Sequence, residues 1–69
     1  MVVIKIVEVI GSSPKSWEEA AKNALEETAD TIRNIKGIDI DRFTAKVEKN
    51  KIVEYRAVAR IAFAVKREK

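Results

Sequence analysis

Asp39 and Asp41 stand two residues apart in a chain that contains no histidine and no cysteine. Alternating residues of a strand share one face, so both carboxylates point the same way and suit a hard cation such as calcium or magnesium. Two oxygen ligands are too few for a complete site, but symmetry-related copies can supply more. The plainer reading is a solvated strand edge. Arg56 and Arg60 lie four apart on one strand face with Val58 between them. From Arg42 to Lys69 there are nine basic and three acidic residues. That pattern suits an anion, either phosphate or nucleic acid. It equally suits ion pairs with Glu54, Glu48 or an acid of a neighbouring chain. Glu8 interrupts an otherwise apolar strand face and needs a partner there, which Arg56, Arg60 or a symmetry mate could provide.

Composition removes much chemistry. Without Cys or His there is no thiol nucleophile, no imidazole base, no Ser-His or Cys-His triad and no zinc site. Carboxylates, Lys, Arg and the single Tyr55 remain. No spacing among them marks a catalytic constellation, so the chain reads as a non-enzyme. Trp17 could stack on a ligand, but its register with Ala21, Leu25 and Thr28 makes it a core anchor at the start of a helix. Gly11-Ser12-Ser13-Pro14 leads from a strand to a helix N-terminus, where backbone N–H groups can hold phosphate. It has one glycine and no P-loop lysine, and Ser13-Pro14 already reads as a helix cap. Tyr55 and Phe63 fall on the apolar strand face, so the stacking platform of an RNA-binding sheet is missing. This argues against a nucleic-acid partner.

The elements that position these residues follow from periodicity. Val2 to Ile10 is β-branched and nearly apolar on both faces, which predicts a strand buried on both sides. The helix starts at Ser13-Pro14 or, one turn later, at the capping box Ser16/Glu19. Trp17, Ala20, Ala21, Ala24, Leu25, Thr28, Ile32 and Ile35 recur at helical spacing, with small alanines in the middle, and Gly37 ends the helix as its C-cap. Ile38 to Lys49 alternates, but its apolar phase slips from even to odd positions, which a bulge near Asp41-Arg42 reconciles. Asn50 marks a tight turn, and Lys51 to Lys66 is a long final strand with apolar odd positions. The order is β-α-β-β, an α+β fold in which a three-stranded curved antiparallel sheet wraps around one helix over a single domain, residues 1–69.

The chain has 69 residues and a net charge of +3. At this size roughly 60 % of the unfolded surface is buried on folding, which leaves a lone domain marginal. One helix covers one sheet face, so the second face is expected to meet another subunit. No apolar run is long enough for a membrane span, and Lys5 and Glu8 break any signal-peptide pattern at the N-terminus. These points predict a cytoplasmic protein.

Gly11-Ser12-Ser13, then Pro14-Lys15-Ser16-Trp17-Glu18-Glu19-Ala20-Ala21, then a long hairpin carrying Glu54-Tyr55-Arg56 and ending near Phe63, together resemble the dodecins. The resemblance covers the whole chain. It implies β-α-β-β topology and twelve copies in a hollow homododecameric shell, a self-assembly that binds or stores a small molecule or metal ion. Many dodecins sequester riboflavin or FMN. In those members a Trp just after the helix stacks on the flavin ring and a Gln in the last strand hydrogen-bonds its polar edge. Here the Trp position is Gly37, beside Lys36, and the Gln position is Arg56. Arg56 can donate to a phosphate but lacks the acceptor of a Gln.

A dodecin subgroup without the stacking Trp, and with Arg after the Tyr, is described as calcium-binding. This sequence resembles that subgroup at Ser13-Pro14, Ser16-Trp17-Glu18, Gly37 and Tyr55-Arg56. The resemblance implies a small-ligand or ion-binding shell with calcium, or weakened FMN or riboflavin, as ligand. Asp39 and Asp41 are metal candidates on chemistry alone. Glu8, Glu54 and Arg60 are candidates for ion pairs within or between copies. A basic module for anionic partners is the alternative outside the family.

Overall fold

A computed structural model describes residues 2–66 of the chain. Strand β1 spans Val2–Ser13, helix α1 Trp17–Ala29, strand β2 Ile35–Glu48 and strand β3 Lys51–Lys66. The sheet is three-stranded and antiparallel in the order β1-β3-β2, so the last strand is central and both earlier strands are edges. No helix is long and apolar enough to cross a membrane among the described residues.

The hairpin forms where the sequence places it. Lys49 and Asn50 both take positive φ, 53° and 65°, between the paired residues Glu48 and Lys51. Two left-handed residues in a two-residue loop match the twist of the flanking strands. The phase slip in β2 is a register shift between Ile40 and Arg42. Beyond it Phe43 and Ala45 face the helix side and Arg42 and Thr44 the other.

The helix start resolves in favour of Ser16, whose Oγ accepts from the Glu19 backbone N–H at 3.0 Å. Ser13 is not the cap. It ends β1, which runs three residues past the expected Ile10, and its buried hydroxyl donates to Glu19 Oε1 and accepts from the Lys15 N–H at 2.9 Å. The helix also ends earlier than its apolar period suggests. Its C-cap is Asp30, and Thr28 turns its hydroxyl back to the Ala24 carbonyl at 2.8 Å. Thr28, Thr31 and Ile32 are β-branched and weak helix formers, and Asn34 takes φ 64° to redirect the chain. Gly37 is therefore no C-cap: it lies in β2 without a positive φ.

Helix and sheet meet through small residues. Ala20 and Ala24 of α1 lie on Ala57, Ala59 and Ile61 of β3, all buried. Gly11 makes this approach feasible. A Cβ there would strike the Ala20 carbonyl oxygen and come within 2.7 Å of the Ala24 Cβ. Trp17 packs edge-on against Tyr55, with centroids 4.8 Å apart, and donates from Nε1 to the Thr44 carbonyl at 2.8 Å. It anchors the helix start, but at the edge of the core and not within it, since it remains 38 % exposed.

The opposite sheet face has no cover. The expectation that β1 is buried on both sides fails within one protomer, because Val2, Ile4, Ile6 and Ile10 are 55–66 % exposed. The protomer measures 57 × 19 × 13 Å. Its accessible surface is 5382 Å², against about 4,400 Å² for a compact monomer of this mass.

Candidate functional site

Antiparallel register brings the candidate residues to one side of the sheet. On β3 the even residues point away from the helix, and Arg60 is flanked there by Glu8 of β1 and Asp39 of β2. Gly37 pairs with Ala62 on the same face, and Arg56 lies between Ser12 and Thr44. Glu54, Arg56 and Arg60 therefore share with Glu8, Gly37 and Asp39 the face that α1 leaves open. Lys36 sits at the register shift between Ile35 and Gly37, beside Val2, Asn34 and Ala64.

Arg60 is the hub of one charge cluster. Its guanidinium reaches Asp39 Oδ2 at 3.8 Å and Asp41 Oδ1 at 3.7 Å. The bulge is what keeps Asp41 within reach. Both separations exceed hydrogen-bond range, so these are loose, solvent-facing ion pairs of small net energy. The two aspartates are thus brought together, with a cation of the chain's own between them. Glu8, directly opposite Arg60 across the ladder, forms no ion pair among the described residues, because Arg60 turns to β2. Among the described residues no group of three or more His, Cys, Asp or Glu side chains could hold a metal ion within one protomer.

Arg56 belongs to a second cluster. Its Nη2 and Nε donate to the same Glu54 oxygen at 2.9 and 3.3 Å. That hydrogen bond holds the Glu54 carboxyl below its usual pKa of 4.5, against the opposing effect of desolvation. The charge of Arg56, the Ser12 hydroxyl and Lys46 add to the lowering. This settles the partner of Arg56 within the protomer as Glu54, while Glu48 pairs with Lys46 at 3.5 Å.

Gly37 and Arg56, which the family resemblance assigns to one flavin pocket, do not converge in one protomer. Their β3 neighbours, Ala62 and Arg56, lie six residues apart, or about 20 Å along a strand. A pocket using both must draw on more than one copy. At Gly37 a side chain would meet nothing within 4 Å. The hollow there has a volume of about 250 Å³ and is lined by Ile6, Gly37, Ile38, Asp39, Arg60 and Ala62. None of its walls is aromatic. Trp17, Phe43 and Tyr55 cluster on the helix side, and Phe63 pairs with Lys5 and Ile35 on that same side. Those are all four aromatic residues of the chain.

Sequence periodicity alone did not reveal the Arg60 link between the aspartates, since it depends on which way a bulge turns Asp41. The close-approach role of Gly11 was also missed; its spacing from the Ala20/Ala24 stripe was the available signal.

Comparison with known proteins places this geometry. The dodecin family profile matches residues 3–66. The calcium dodecin of Mycobacterium tuberculosis is 29 % identical over 66 residues, covering 96 % of this chain and 93 % of that protein. Its crystal structure, described as that of a calcium-chelating antigen with a novel calcium-binding site, superposes with a TM-score of 0.82 at 27 % identity, over 97 % of this chain and 96 % of that one. The dodecin of Streptomyces coelicolor has the same fold, with a TM-score of 0.92 at 18 % identity over 97 % and 96 % of the two chains. The chain belongs to the dodecin family, whose members are small-ligand binding proteins and not enzymes.

Proposed function

We propose that this chain assembles into a homododecameric shell that binds a small ligand or ion, with calcium in place of a tightly held flavin. One observation carries the reading: the helix-free face that holds Gly37 and Arg56 has no aromatic side chain. Stacking on an aromatic is worth about 1–3 kcal/mol per ring by analogy with nucleobases. A flavin on this face forgoes that. Arg56 is held by Glu54 and offers donors only, so it does not replace a Gln acceptor either.

Calcium is favoured by the similarity to the calcium dodecin and by the oxygen donors of Asp39 and Asp41. Two carboxylates per copy need further ligands, which neighbouring copies in a shell would supply. Arg60 competes with the ion for the same oxygens, which points to modest affinity. The uncovered apolar face of β1 supports the assembly.

Calorimetric titration of calcium into the purified protein and, separately, titration of riboflavin with the protein followed by flavin fluorescence test the choice of ligand. The proposal expects saturable heat with calcium and no quenching of riboflavin fluorescence. Quenching by riboflavin with no response to calcium would reverse it.

A further inference from the structure

Most charges on the helix-free face are matched within the protomer. Arg56 pairs with Glu54, Lys46 with Glu48, and Arg60 with Asp39 and Asp41. Glu8 on β1, Arg42 on β2 and Lys36 at the far end of β2 form no ion pair among the described residues. Glu8 interrupts the stripe Val2, Ile4, Ile6 and Ile10 between its last two members. Arg42 stands one row further along, opposite Val58, whose other neighbour is Ile10. The two stand on opposite edge strands, about 10 Å apart across β3, and do not pair within the protomer.

This face is shaped for a second copy of the chain. Four exposed aliphatic side chains in one row on an edge strand form an apolar patch of the kind that marks a protein–protein contact. Covering the stripe desolvates Glu8, and an unpaired carboxylate in an apolar interface is strongly destabilising. The face carries its own complement in Arg42, whose planar guanidinium suits an interfacial carboxylate better than the ammonium of Lys36. Each copy offers Glu8 as the acid and Arg42 as the better-suited base, so the pairing closes in a symmetric assembly, with every Glu8 and every Arg42 used.

We infer that, where a second copy of this chain covers the exposed stripe of β1, Glu8 of one copy pairs with Arg42 of another and sets the orientation of the contact. The inference rests on the assembly proposed above and adds the contact that directs it. An oriented charge pair discriminates against wrong registers more than it adds raw affinity.

Sedimentation velocity on the wild type, Glu8→Arg, Arg42→Glu and the double exchange tests it, with far-UV circular dichroism as the check on folding. The wild type is expected to assemble. Each single reversal should raise the concentration needed for assembly by about thirtyfold or more, the range for breaking an interfacial charge pair. The double exchange should restore assembly. A Glu8→Arg protein rescued by Lys36→Glu and not by Arg42→Glu would overturn the pairing. So would single reversals that assemble like the wild type, or a folded double exchange that stays apart. A wild type that remains monomeric would instead remove the assembly on which the inference stands.

Discussion

Gly37 faces Ala62 across the β2–β3 ladder, on the side of the sheet that the helix leaves open, with nothing in the space where a side chain would project. The first prediction concerns that space. Gly37→Trp combined with Arg56→Gln should create or strengthen flavin binding, read as quenching of riboflavin fluorescence on titration. The gain should be on the order of tenfold or more, as one stacked aromatic contributes about 1–3 kcal/mol. No change in the double variant would mean that the flavin positions of the family do not map to these residues.

Asp39 and Asp41 give a second prediction. Calcium that binds the folded protein and not the unfolded chain raises the melting temperature. The rise should disappear in Asp39→Asn with Asp41→Asn and increase in Arg60→Gln, which removes the resident guanidinium. A double variant that still responds to calcium would place the ion elsewhere.

Gly11→Ala tests the packing of helix on sheet. The added methyl meets the backbone at Ala20 and the Ala24 side chain, neither of which can move without shifting the helix. A loss of about 3 kcal/mol in denaturant unfolding is expected, at the upper end for overpacking. A change under about 0.5 kcal/mol, the level of an ordinary surface substitution, would show that the helix does not sit this close.

Glu54 links stability to pH. Its folded pKa lies below 4.5, first through the hydrogen bond from Arg56. A depressed carboxyl contributes stability that is complete above the unfolded value and is lost as the pH falls through the folded one. Arg56→Gln should therefore raise the Glu54 pKa, followed by carboxyl carbon NMR, and flatten the fall in melting temperature below pH 4.5. An unshifted titration in that variant would show that the pair does not persist in solution.

Much of this architecture was legible in the residues. Alternation identified the helix side of β3, Asn50 the hairpin turn, and the parity slip from Ile40 to Phe43 the bulge. The helix end was not legible, because Ile32 and Ile35 continue the helical period by coincidence. They are apolar because Ile32 lies near the helix–β1 groove and Ile35 begins β2. Periodicity records that a residue is buried, not which element buries it. The candidate site was legible as residue types. Its geometry was not: Arg60 could have turned to Glu8 or to Asp39 with equal register, and only the bulge at Asp41 gives β2 two carboxylates against one on β1.

Native mass spectrometry of the purified protein bears most directly on the central claim, that this small protomer is one unit of a closed shell. The account predicts a species near twelve times the 7.8 kDa chain mass. Any further mass on it would belong to a retained ion or small molecule. A monomer or dimer at micromolar concentration would contradict the account: a monomer leaves the exposed stripe of β1 uncovered, and a dimer is not a closed shell.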